Sequence, residues 1–155
     1  MKKTIAFIAA AAVIAISTIF VMNANKERWT LVSTDTVATV YNAVPEQCDA
    51  DFVHTASMYE IDLRDIPSQR VLAMERTMMA SLGIAYGDIV LIQGTGEYDG
   101  YWRVLDTVNK RFKGQSRIDF LVPNHIKKGK WDNVQVFKAG NKRAVANAQK
   151  ALKRI

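Results

Sequence analysis

Residues Tyr101 to Val122 limit the possible folds more than any other stretch, because two runs of strand length meet there across a short basic connection. Tyr101-Trp-Arg-Val-Leu-Asp106 alternates, and after Lys113-Gly114 the run Arg117-Ile-Asp119-Phe-Leu alternates again. A period of two marks a half-buried strand, since successive side chains point to opposite faces. Alternation puts Trp102, Val104 and Asp106 on one face of the first strand. On the second it opposes Asp119 to Ile118 and Phe120, so those two enter the core while the acid faces a groove. Acids are depleted in strands, and two on neighbouring strands invite a functional reading. Structural roles stay open beside it: Asp106 capping the next turn, Asp119 pairing with Arg117 or Lys113.

The rest of the chain supplies more short strands. Thr34 to Val44 is rich in β-branched residues and stops at Pro45. Met58 to Arg70, broken by Pro67, fits a short helix or an irregular excursion. Val71 to Met74 is a brief apolar run that passes through Glu75 into helix formers, Arg76 to Leu82, with Gly83 as terminator. Ile89 to Gln93 is followed by Asp99-Gly100, a hairpin signal that makes Asp99 a turn residue. Gly94, Gly96 and Gly100 make no phosphate loop, because a hairpin follows where a helix N-terminus is needed. Asn133 to Phe137 closes the series. Many short strands with one or two short helices suit a small closed or orthogonal β-barrel, and 155 residues allow one such core.

Both ends carry distinct segments. Thr4 to Met22 is apolar without a charge, behind Lys2 and Lys3, and matches the roughly 20 residues that span a bilayer. Met22-Asn23-Ala24 is a poor cleavage pattern, so a retained anchor is expected over a cleaved signal peptide, with the body exported. Asn23 to Ser33 reads as a polar linker. In the tail after Gly140, Val145, Ala148, Leu152 and Ile155 recur at helical spacing opposite Lys142, Arg143, Lys150, Lys153 and Arg154. Such a helix docks on the domain, lies on an anionic surface or binds nucleic acid. The net charge of +6 and pI near 9.5 favour a polyanionic partner.

Several chemistries are poorly served. Cys48 is the only cysteine, which excludes an intrachain disulfide and a cysteine-based zinc site. It reads as a small, partly buried side chain. His54 and His125 lack metal-ligand spacing, and no Gly-x-Ser-x-Gly elbow occurs, so neither metal nor cofactor is expected. Carboxylates remain. If two approach, repulsion raises one pKa and leaves an acid able to protonate a glycosidic oxygen. Ordinary glycosidases need a second carboxylate, whereas attack by an internal hydroxyl needs a single group that gives and retakes a proton.

Thr39-Val-Tyr41, His54-Thr55-Ala56, Val71-Leu-Ala-Met74, Leu105-Asp106-Thr107, Lys113-Gly114 and Arg117-Ile-Asp119-Phe120 together carry a likeness. This set resembles the three-aspartate (3D) domain of membrane-bound lytic transglycosylase A and of stationary-phase survival and resuscitation-type muralytic proteins. The likeness covers about residues 39–137. It implies a mainly β fold, a small six-stranded double-psi β-barrel with short helices over 39–138. Around it lie a hydrophobic N-terminal helix as signal anchor or signal peptide (1–25), a linker leading into the barrel (26–38) and a basic amphipathic C-terminal helix (139–155).

The resemblance also implies cleavage of the MurNAc-GlcNAc bond of peptidoglycan without water, leaving 1,6-anhydro ends. Asp119 takes the family's acid/base position, Asp106 that of its tuning partner, and Glu75 that of the first aspartate. Tyr41, Thr55, Thr107, Lys113 and Arg117 match positions that hold substrate. The implied partners are peptidoglycan glycan strands and the membrane through residues 4–22, with no nucleic acid, for an exported monomer. Two departures stand out: Val108 follows Asp-Thr where the family has Gly, and Asn109-Lys-Arg-Phe112 replaces a glycine-rich connection. The competing expectation is a non-catalytic glycan-binding barrel of the expansin-like kind, with Trp102 and Trp131 as stacking platforms, although a core position is the commoner use of each.

Overall fold

A computed structural model describes residues 26–48 and 51–155. Six strands form a closed mixed barrel: β1 (Trp29–Tyr41), β2 (Val71–Met74), β3 (Ile89–Gln93), β4 (Gly100–Thr107), β5 (Arg117–Leu121) and β6 (Lys130–Ala139). Around the barrel they run β1-β5-β2-β4-β3-β6, with β1–β5 and β2–β4 parallel and the remaining neighbours antiparallel. That order is compatible with a double-psi barrel. Three short helices accompany it: α1 (Ile66–Gln69), α2 (Arg76–Leu82) and α3 (Lys142–Leu152). The expected N-terminal anchor lies outside the described residues, and no described helix is long and apolar enough to cross a membrane.

Alternation decides what fills the barrel. Ala38, Leu72, Met74, Val90, Ile92, Trp102, Val104, Ile118, Phe120, Val134 and Val136 point inward into one cluster. Phe120 stacks on Tyr98 and sits 4.5 Å from the Trp102 ring centroid. The intervening residues face out. On the side of β1, β5, β2 and β4, the segment between β1 and β2 folds over that outer face and buries Ala43, Ile61 and Ile66 against Val71 and Leu121. β2 is thus covered on both faces, and all four of its residues are buried. An unbroken apolar run is what such a strand requires.

Two expectations about the strands need correction. The stretch read as linker, Asn23 to Ser33, is strand from Trp29 onward, since β1 begins there and pairs with β6 through three register shifts. Its exposed positions mix Thr30 with Leu31, which is 43% exposed, so no clean alternation announces the strand. Nor does Asp106 share a face with Trp102 and Val104. Leu72 pairs with Val104 but Ala73 pairs with Asp106, so Leu105 is an extra residue in a bulge. A bulge resets the alternation, and here it turns Asp106 out of the barrel.

The tail helix docks. Ala144, Ala148 and Leu152 are buried, the last two against Ile89, Trp29 and Tyr101. Asn141 caps the helix by accepting from the Ala144 N–H at 3.0 Å. Val145 is half-buried and Ile155 exposed, so the apolar stripe is centred on alanines.

Phe120→Ala removes the ring at the centre of the aromatic cluster and is expected to cost about 3–5 kcal/mol, read as a lower urea midpoint with unchanged slope. A midpoint within experimental error of the parent would contradict this account of the core.

Candidate active site

Pairing brings one row of residues together across four strands. Thr39 of β1 pairs with Asp119 of β5, Asp119 with Ala73 of β2, and Ala73 with Asp106 of β4. All four line an outward-facing cleft of about 900 Å³, a size within the range of small-ligand sites. The acids are therefore not on adjacent strands as expected. β2 separates them by two strand spacings, about 9.5 Å at the backbone, and the methyl of Ala73 leaves the space between them open.

The two carboxylates have unequal surroundings. Asp106 is saturated: Oδ2 accepts from the Tyr41 hydroxyl at 2.8 Å, and Oδ1 from the backbone N–H of Ala56 at 3.0 Å and of Thr107 at 2.8 Å. Burial, and after it the charge of Asp106, holds the Tyr41 hydroxyl well above the ordinary tyrosine range, so Tyr41 stays a donor.

Asp119 is mostly buried, with 14% side-chain exposure. Thr39 Oγ1 donates to its Oδ1, Arg117 Nε donates to the same oxygen at 3.3 Å, and Arg117 Nη2 donates to Thr39 Oγ1 at 2.8 Å. Among the described residues nothing donates to Oδ2. Burial raises the Asp119 pKa above the usual aspartate value, and Thr39 and Arg117 only partly offset it. The cause is desolvation, not repulsion between the two acids.

Phe112 supports the arrangement from the side, its ring 3.8 Å from the Arg117 guanidinium and 4.7 Å from that of Arg111. The connection between β4 and β5 thus forms a cleft wall, since Val108, Lys110, Arg111 and Phe112 all line it. Val108 itself is buried, and its N–H reaches Met74 O at 3.3 Å.

Of the remaining predicted residues, Tyr41, Thr55, Thr107 and Arg117 line the cleft. The Thr55 hydroxyl is engaged within its own loop, 3.0 Å from Ser57 Oγ and accepting from Tyr59 N at 3.2 Å. Lys113 is exposed and outside the lining. Glu75 does not line the cleft either. It caps α2, accepting from Met78 N at 2.9 Å. Burial opposes its charge, but the backbone N–H groups of Met78, Thr77 and Gly114 lower its pKa overall. Thr39 was missed as a site residue although it lies in the Thr39-Val-Tyr41 motif, and Ala73 was missed because a methyl gives no chemical signal.

Cys48 is half-buried at the cleft and within 3.6 Å of Asn42 O. His54 pairs with Asp51 at 2.8 Å, which raises the His54 pKa, and no cluster among the described residues could hold a metal. Trp102 is 3% exposed and donates to Tyr98 O, while Trp131 packs edge-on against Tyr98 and Phe120. Trp102 is thus a core ring, whereas Trp131 is only partly buried.

No protein-family model matches the chain, and no curated protein matches it.

A buried acid with a raised pKa favours folding below its unfolded pKa, and that contribution is lost as pH rises through its folded pKa. Asp119→Asn is therefore expected to be more stable than the parent at neutral pH, with the gap closing in acid, as read by thermal melts across pH. Thr39→Val removes a bond that favours the ionised form, so the Asp119 carboxyl signal should titrate at higher pH in NMR. A downward move would refute the assignment.

Proposed function

We propose that this chain is a peptidoglycan-cleaving lytic transglycosylase of the 3D-domain type, with a double-psi barrel and Asp119 as its single acid/base. The observation that carries the reading is the contrast between the two carboxylates. Asp119 has a raised pKa and an oxygen without a described donor, while both oxygens of Asp106 are occupied. A hydrolase of the usual kind needs a second carboxylate ready to act as nucleophile or to activate water. Asp106 is taken up in bonds, which favours chemistry requiring one proton-transfer group.

In this scheme the Asp119 carboxyl gives its proton to the oxygen between MurNAc and GlcNAc. The bond from MurNAc C1 to that oxygen breaks, and GlcNAc leaves with the proton as a hydroxyl. The C6 hydroxyl of the same MurNAc then attacks C1, and its proton passes to the Asp119 carboxylate. The acid is restored and no water is consumed. Thr39 and Arg117 hold one oxygen of Asp119, leaving the other to do the transfer. Tyr41 fixes Asp106 as the cleft's second acidic wall, facing the positive charge that develops at C1. Export through residues 4–22 would bring the cleft to the wall polymer.

Incubation with purified sacculi, followed by mass spectrometry, should yield 1,6-anhydro-muropeptides. Asp119→Asn is expected to lower that yield by about 10²–10⁴-fold, with a smaller loss for Tyr41→Phe. Hydrated reducing ends in place of anhydro ends would point to hydrolysis. Binding to sacculi with no product from the parent protein would leave a glycan-binding barrel.

A further inference from the structure

α3 divides sharply into two sides. Ala144, Ala148 and Leu152 are buried on the barrel, and at helical spacing Lys142, Arg143, Lys150 and Lys153 fall on the opposite side, with Arg154 just beyond the end. From Asn141 to Ile155 the chain has no Asp or Glu. Glu27, the acid brought to the helix, is already engaged. Its carboxylate accepts from Trp29 Nε1 at 2.6 Å, Tyr101 Oη at 3.0 Å and Asn147 Nδ2 at 3.0 Å, and Arg143 adds to the field that lowers its pKa.

The same helix is stitched to the start of the described chain. Asn141 Nδ2 donates to Lys26 O at 2.8 Å, and Gly140 N to Arg28 O at 2.8 Å. The apolar run of the sequence ends at Met22, four residues before Lys26, a reach of at most about 14 Å. α3 is itself roughly 16 Å long. A bilayer holding residues 4–22 thus has its surface within one helix length of the basic face.

We infer that the basic face of α3 rests on the anionic headgroups of the membrane that holds the N-terminal run, and that this contact orients the barrel. The inference depends on that run being a retained anchor and is independent of the chemistry in the cleft. In the ring β1-β5-β2-β4-β3-β6, β3 lies three places from β5 in either direction. α3 packs on Ile89 of β3, whereas Asp119 sits on β5. A barrel resting on α3 therefore turns its cleft away from the bilayer.

The test uses the full chain reconstituted into vesicles of phosphatidylcholine alone or mixed with phosphatidylglycerol. An impermeant amine-reactive reagent labels the lysines, and peptide mass spectrometry compares Lys142, Lys150 and Lys153 with Lys127 and Lys128. On anionic vesicles the α3 lysines should label several-fold less than the reference pair; high salt should abolish the difference at all three, and Lys150→Glu with Lys153→Glu should abolish it at the remaining Lys142. Equal labelling on both vesicle types, equal protection on both, or failure of the chain to float with the vesicles would each overturn the proposal. Sacculus digestion, measured separately, reports on the cleft alone.

Discussion

The hydrogen-bond ladders on either side of Val71–Met74 hold the molecule together. This four-residue strand pairs parallel with β4 and antiparallel with β5, and without it the ring opens between the two strands that carry the acids. Being covered on both faces, it has no room for a polar side chain that lacks a partner. Its sequence answers with Val, Leu, Ala and Met. The smallest of these stands in the row between the carboxylates, so the strand that closes the barrel also sets the width of the cleft floor.

Environment then separates two chemically identical groups. Both acids face outward beside Ala73, yet one is fully hydrogen-bonded and the other desolvated with one oxygen spare. The difference comes from what the neighbouring strands offer. Tyr41 and two backbone N–H groups converge on Asp106. Asp119 receives a threonine that is itself tied to an arginine, and Phe112 lies against that arginine. The guanidinium thus works partly through Thr39 and partly directly, enough to keep Asp119 ordered without cancelling the effect of burial.

Much of this was legible in residue order. Ile118 and Phe120 inside with Asp119 outside follows from strict alternation in β5, and β2 and α2 fall where the local signals place them. Asp99 lies in the β3–β4 connection as expected, its carboxylate accepting from Thr95 N and Oγ1, but a 3-10 turn at Gly96–Tyr98 joins the strands and Gly100 already belongs to β4. What stayed hidden depends on pairing between distant strands. Val104-Leu-Asp106 alternates without a break, so nothing local announces the bulge; it exists because β4 must match β2. Thr39 and Asp119 are 80 residues apart, and only the β1–β5 ladder joins them. Glu75 shows the opposite failure: an acid one residue before a helix carries a local capping signal, and the likeness of motifs drew attention away from it.

Ala73 has one more consequence. The distance between the two acidic walls is a backbone spacing, fixed by hydrogen bonds inside a closed ring, while the remaining walls are loop residues at 46–48, 51–58 and 108–112. The floor therefore behaves as a rigid gauge and the loops as interchangeable jaws. Variation in the loops can change what is gripped along the cleft without moving the acids, whereas a single added methyl group at position 73 fills the space between them.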